Sequence, residues 1–298
     1  MINRESLGGL PFHIMTVYIP RENIFILEEW LAWHTMMGVD KFFLYDNTGS
    51  NHLFDGHSIV TDGKNLRGEN IAEVTAHLSD TDLESIEAEI FSKYNVEKVR
   101  WAPIENGKIM YQQHIAFAHY VENLRENTWT AFTDLDEFLM GEVNLDVNRS
   151  SHWMYGRPFR RWNPYTRVCD IVDVVNLQTM FSGNVPKDAW IHPCPKSIVQ
   201  TKDFIPGTEI HYIDVKGEIN EKVEFYFNHY SYCEFNHIGF INRCLENIPS
   251  FHPFPLDKAF NEKDYKLQKI ARKKLNYESF TRIPDPIEES RKIPDFSK

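Results

Sequence analysis

The chain has 298 residues, 42% hydrophobic and 14% aromatic, enough for one large core or two small ones. Its formal net charge is −11, from 32 Lys and Arg against 43 Asp and Glu. That excludes a nucleic-acid-binding surface over the molecule as a whole, because such binding draws its affinity from Lys and Arg on phosphates.

The four cysteines, Cys169, Cys194, Cys233 and Cys244, form no C-x-x-C pair and no metal-knuckle spacing, so free thiols in a reducing compartment are expected. No signal peptide and no membrane span are visible in the sequence.

Along the chain, FHIMTVYI from Phe12 to Ile19 lies between Pro11 and Pro20 and reads as a buried strand. In the segment that follows, Leu27, Trp30, Leu31 and His34 make one helical stripe, and Gly38 suits a C-terminal cap. VDKFFLY, Val39 to Tyr45, is a second strand closed by the turn-prone Asp46-Asn47-Thr48-Gly49-Ser50. Such a strand–helix–strand unit winds right-handed into a parallel sheet. A capped helix is expected over Ser79 to Asn95, a strand over Val96 to Ala102, a helix over Met110 to Asn127 and a strand over Trp129 to Phe132. This alternation predicts an α/β sheet of the nucleotide-binding kind.

After Glu142 the character changes, and Trp153 to Ile213 reads as an excursion built on the same sheet. Arg157, Arg160, Arg161 and Arg167 cluster there, and a solvated face is the plain reading of them. From about Pro249 the chain is rich in Lys, Glu and Pro, with one charged helix and a loose tail. The expected organisation is a domain over 1–248, divided into halves 1–142 and 143–248, and a helical extension over 249–298.

The stretch TWTAFTDLDEFLM ends an apolar strand abruptly at Asp134-Leu135-Asp136-Glu137. Adjacent carboxylates repel and are costly to bury, so something positive must meet them. If the strand continues, Asp134 and Asp136 face one way, toward the ligand crevice at the carboxyl end of an α/β sheet. Two convergent carboxylates suit Mg2+ or Mn2+, which leave positions for phosphate oxygens. A second pair, Asp80-Thr81-Asp82, opens a helix and reads as cap and dipole partner instead.

The motif order RENIFILEEWLAWHTMMGVDKFFLYDN, YQQHIAFAH, DLDEF, WMYGRPF, PKSIV, IHYI and NHYSY resembles glycosyltransferase family 92 and related family-2-like GT-A enzymes, over about Phe12 to Arg243. The resemblance implies a GT-A fold, a single Rossmann-like, mostly parallel sheet flanked by helices, with an acceptor-side excursion and a C-terminal helical tail. It implies a nucleotide-sugar donor, taken as UDP-linked, a glycan or glycoprotein acceptor, and Mn2+ or Mg2+ on Asp134 and Asp136. His229 of NHYSY matches the late histidine that completes the metal site in many GT-A enzymes, with His211 as a weaker candidate. The chain departs from the family at Pro20-Arg21-Glu22-Asn23, where relatives carry Lys-Asn-Glu. The anchor of the animal members is missing, which points to a bacterial or viral protein of the cytoplasm.

On this resemblance Tyr18 and Arg21 line the nucleoside pocket, and Asp46 reads base or ribose hydroxyls, its plain alternative being an Asx turn. Gln113 reaches the donor from its helix, and Lys196 neutralises phosphate. An inverting transfer, which the family suggests, needs a carboxylate base. Asp203 and Asp188 are the first candidates, with Glu209 and Asp214 behind them. Two other readings stand beside this one: a non-catalytic carbohydrate-binding protein on the same scaffold, and an Asp-dependent phosphotransferase.

Overall fold

The computed structural model of the chain describes residues 1–50, 78–124, 126–154, 156–161, 195–232, 266–267, 269–271 and 273–283, with the backbone alone for 156–161 and 229–232. The first unit is β1 (Phe12–Tyr18), α1 (Pro20–Met37) and β2 (Lys41–Asp46). Pro20 opens α1, where its missing N–H is no loss. Gly38 closes the helix in the left-handed region at φ 105°, a conformation glycine adopts without strain. β1 and β2 pair in parallel, Tyr18 opposite Asp46.

All seven residues of β1 are buried, because both faces of the sheet are covered. Phe12, Ile14 and Tyr18 pack in one core cluster with Leu27, Trp30 and Leu31 of α1. Met15 and Val17 pack in the other with Ala116, Phe117 and Tyr120 of a later helix. The alternation of the pleat thus sorts one apolar run into two layers.

α2 (Asp80–Phe91) leads into β3 (Val96–Arg100), which is parallel to β2. A short hairpin of β4 (Ile104–Glu105) and β5 (Lys108–Ile109) follows, then α3 (Gln113–Asn123). The helix expected from Met110 starts three residues later than expected. Gly107 turns the hairpin at φ 77° and Gln112 sits in the left-handed region at φ 39°, so the chain is not helical until Gln113. β6 (Trp129–Phe132) returns to the sheet parallel to β1.

Part of the excursion is woven into the same sheet, while residues 156–161 run in another. β8 (Ser151–Met154), β10 (Lys196–Gln200) and β11 (Ile219–Asn220) complete a seven-stranded order β11-β8-β10-β6-β1-β2-β3. β10 is antiparallel to both β6 and β8, and the other neighbours are parallel. This is a mostly parallel, Rossmann-like central sheet flanked by helices, as the resemblance implied. A second sheet of three strands joins β7 (Glu137–Met140), β12 (Tyr226–Tyr232) and β9 (Gly156–Arg161) in the order β7-β12-β9.

The expected boundary at residue 248 lies outside the described residues. The later segment that is described docks on α1 and α2. Leu267 and Ala271 are buried in the core there, Lys93 donates to Glu28, to the carbonyl of Ser279 and to the hydroxyl of Thr281, and Tyr277 donates to Glu29 at 2.9 Å.

Candidate active site

β6 ends at Phe132, and β7 begins at Glu137 in the other sheet. The carboxylate run is therefore the passage between two sheets. Residues 133–136 are a turn rather than strand, which corrects the strand alternation inferred from Asp-x-Asp. Glu137 closes the turn on itself: its carboxylate accepts the Asp134 N–H at 2.9 Å, and its own N–H donates to the Asp134 carbonyl at 3.1 Å. Leu135 points into the core at 2% exposure.

α1 holds the far side of this passage. Trp30 and Trp33 donate their indole N–H groups to the carbonyls of Glu137 and Leu139, at 2.8 and 2.9 Å. His34 accepts the Leu139 N–H on Nε2 at 3.1 Å, while Nδ1 lies 2.8 Å from the Trp30 carbonyl. With Nε2 accepting, the proton is on Nδ1 and the ring is neutral. Burial pushes its pKa down to about 3, against a smaller upward pull from the Trp30 carbonyl.

The positive partner of the turn comes from β10. Ser197 pairs with Phe132, so Lys196 falls beside the end of β6. Its Nζ lies 2.7 Å from Asp134 Oδ2 and 3.5 Å from Glu137 Oε2. Lys196 and Glu137 are 2% and 1% exposed, while Asp134 is 34% exposed. Gln113, at the start of α3, donates to the other oxygen, Asp134 Oδ1, at 2.7 Å. The residue before it, Gln112, has a left-handed backbone, a conformation that costs a non-glycine residue about 1 kcal/mol or more and clusters at functional sites.

Burial alone would raise the Asp134 pKa, but the Lys196 charge and the bonds from Lys196 and Gln113 outweigh it and hold the carboxyl below its usual range. Burial alone would lower Lys196, but Asp134 and Glu137 carry it above its ordinary value. The two residues are thus a charged pair at neutral pH.

Asp136 is partly exposed. Position 229 on β12 pairs in register with Glu137, and only its backbone is described. Among the described residues no three His, Cys, Asp or Glu side chains converge as a metal site. Both Asp134 oxygens already accept hydrogen bonds, one of them from a cation. A dication within about 4 Å of Lys196 would meet a repulsion of several kcal/mol at an effective dielectric constant near 20. The described residues therefore do not fit the Mn2+ or Mg2+ expected at Asp134.

The other expected residues fall in two places. Tyr18 is 1% exposed, and its hydroxyl donates to Glu87 at 2.5 Å, so it is a core residue rather than the wall of an open pocket. Burial, then the Glu87 charge, raises that hydroxyl well above the ordinary tyrosine range. Glu87 and Asp46 share Lys98, which contacts Glu87 and lies 3.0 Å from Asp46. Asp46 Oδ1 also accepts from the N–H and hydroxyl of Thr48, at 2.8 and 2.5 Å. This is the Asx turn that was the plain alternative to a base-reading role. Arg21 donates to the Leu78 carbonyl and to Asp80, at 3.0 and 2.6 Å, and so ties α1 to α2. Lys98 and Glu87 were not singled out from the sequence, where they are ordinary surface-type charges.

Of the candidate bases, Asp203 is not brought to the turn. Asp203 follows β10 at its opposite end, where it accepts from the Ser150 hydroxyl at 2.7 Å. Gln200 already lies about 13 Å of strand from Lys196, and Asp203 is beyond it. Asp203 therefore sits at the edge of the sheet away from the carboxylates. Asp188 lies outside the described residues. Glu209 and Asp214 are exposed, and the His211 carbonyl accepts from Ser197 at 2.9 Å.

No protein-family model matches this chain, and no curated protein matches it. The resemblance to family 92 in particular has no support beyond the motifs themselves. Among solved structures, the chain is similar to glucosyl-3-phosphoglycerate synthase from Mycobacterium tuberculosis, a structure with Mn2+, UDP and glucosyl-3-phosphoglycerate. The TM-score is 0.32 at 10% identity, over 80% of this chain and 78% of that one. A second likeness is to a mycobacterial protein, with a TM-score of 0.31 at 11% identity, over 76% of this chain and 68% of that one. Likeness of this degree says nothing about residues or substrates. No helix among the described residues is long and apolar enough to cross a membrane.

Proposed function

We propose that this chain is a glycosyltransferase of the GT-A type, moving a sugar from a UDP-linked donor to a hydroxyl of a glycan or glycoprotein acceptor. One observation carries the reading: the carboxylate turn sits where the central strand β6 leaves the sheet, held by a buried lysine, a helix-start glutamine and two indole N–H groups. Folding does not call for such an assembly, since apolar residues of similar volume serve stability as well or better. In an open α/β sheet this edge is the ligand crevice.

In this reading Asp136 is the carboxylate presented to the donor, and Asp134 is the anchor that fixes the turn. Lys196 and Gln113 act on the donor through Asp134 rather than by touching phosphate. Asp188 is the candidate base for an inverting transfer. No step is assigned to a metal ion.

The test is calorimetric titration of UDP, followed by a screen of UDP-linked glucose, galactose and xylose for hydrolysis or transfer. Asp136→Asn is expected to abolish turnover with an unchanged urea midpoint. Full activity in that variant would remove the turn from the mechanism. Glycan binding with no nucleotide binding would favour the non-catalytic alternative.

A further inference from the structure

We infer that the ammonium group of Lys196 occupies the place of a divalent cation at the Asp134 carboxylate, so that nucleotide binding here needs no divalent ion. The inference rests on the proposed function for its nucleotide, but its central claim concerns the charge at the turn and is testable without one.

The geometry is that of a filled site. Asp134 Oδ2 takes Lys196 Nζ at 2.7 Å, Oδ1 takes Gln113 Nε2 at 2.7 Å, and Glu137 Oε2 sits 3.5 Å from the same ammonium. A cation at Asp134 would have to displace Lys196 or share its carboxylates. Displacement is blocked by the backbone. β10 is paired on both sides, Ser197 to Phe132 of β6 and Lys196 to Met154 of β8, so the strand cannot slide without breaking two ladders. The side chain is 2% exposed. Sharing is blocked by repulsion between like charges at contact range.

A lysine also does part of what a dication does. It lets a run of acidic residues persist at a sheet edge, and it fixes the orientation of the Asp134 carboxylate. It differs from a metal in being a point charge with three donors and no open coordination position. It can hold the turn ready, and its charge is committed there, with a hydrogen bond to Asp134 and Glu137 3.5 Å away. This is why Lys196 is a positioning residue and the diphosphate needs other positive groups.

The test has two arms. In the first, Mn2+ is titrated into the intact protein and into Lys196→Met, followed by electron paramagnetic resonance of free Mn2+ and by thermal unfolding. The intact protein is expected to show no saturable site and no Mn2+-dependent rise in Tm. Lys196→Met is expected to gain both, because Asp134 then lacks its resident cation. A saturable Mn2+ site in the intact protein that disappears in Asp134→Asn overturns the inference. If Lys196→Met does not fold, the titrations of the intact protein and of Asp134→Asn decide alone.

In the second arm, UDP is titrated in EDTA and again in Mn2+, and Kd values within about twofold of each other are expected. A strengthening of about tenfold or more by Mn2+ overturns the inference while leaving the transferase reading in place. Absence of nucleotide binding in either buffer removes the transferase reading, and the Mn2+ arm still decides the role of Lys196.

Discussion

The chain contains two Asp-x-Asp pairs with the same spacing and opposite fates. Asp80-Thr81-Asp82 opens α2 in water. Ser79 caps the helix, Asp82 closes the capping box on the Ser79 N–H at 3.0 Å, and Asp80, with its side chain 90% exposed, pairs with Arg21. The sequence reading gave the cap to Asp; the structure gives it to Ser79, with Asp82 three residues on. Asp134-Leu135-Asp136 instead leaves the middle of a sheet, with Leu135 in the core and Asp134 bound to a buried lysine. Water solvates the first pair, whereas the second needs a countercharge from elsewhere in the chain. Spacing therefore says little about an acidic pair, and burial of its partner says much.

The largest effect expected from this contrast is at Lys196. Lys196→Met removes the cation that Asp134 binds and that lies 3.5 Å from the buried Glu137, which should lower unfolding stability by about 3 kcal/mol. That is the lower end of the usual range, because Asp134 is 34% exposed and water screens it. Urea denaturation at pH 7 reads this directly. A loss below about 1 kcal/mol would make the pair equivalent to a surface one and dissolve the contrast.

The pH dependence sharpens it. Asp134 is held below its usual pKa, so its contribution is present above about pH 4 and is lost as pH falls further. Lys196 is raised, so its contribution is full below about pH 10 and is lost at higher pH. Between those limits another group moves first. His34, which grips β7 behind the turn, has its pKa pushed down to about 3, and burial brings His152 to about 4. Both are protonated in the unfolded chain below about pH 6.5. The unfolded state then binds more protons, so stability falls with pH from there, by up to about 1.4 kcal/mol per pH unit for each histidine. Urea midpoints at pH 7, 6 and 5 should decline in the intact protein and decline less steeply in His34→Gln. A flat profile would mean that the two rings are not held neutral.

Smaller effects are expected at the first pair. Ser79→Ala removes the cap of α2 and should cost about 1 kcal/mol. Asp80→Ala breaks an exposed ion pair and should cost less than about 0.5 kcal/mol, with a salt dependence that vanishes in the variant. Neither should change nucleotide binding. A nucleotide Kd altered about tenfold by Asp80→Ala would place the donor near α2 and reopen the role of Arg21.

Much of the fold was legible because its signals are local. Pro20, Gly38 and the stripe of Leu27, Trp30 and Leu31 bound and face α1, and the run of β1 is apolar because both its faces are covered. Boundaries were less legible where backbone conformation intervened, as at Gln112 before α3. At the site, the sequence located the acidic turn and singled out Lys196 and Gln113, but as contacts of the donor rather than as partners of Asp134. Tyr18 and Asp46 looked like groups free to meet a ligand, yet each has an internal partner, Glu87 for one and Thr48 and Lys98 for the other.

What the sequence by itself determined is the set of local elements and the presence of a costly acidic stretch at Asp134 to Glu137, since periodicity and charge are properties of neighbours along the chain. What only the tertiary structure decided is which charge meets that stretch. Lys196 stands 62 residues from Asp134 and reaches it because β10 enters the sheet antiparallel beside β6. An ion pair depends on distance in space, and that distance is set by strand order and register rather than by either residue's surroundings in the sequence.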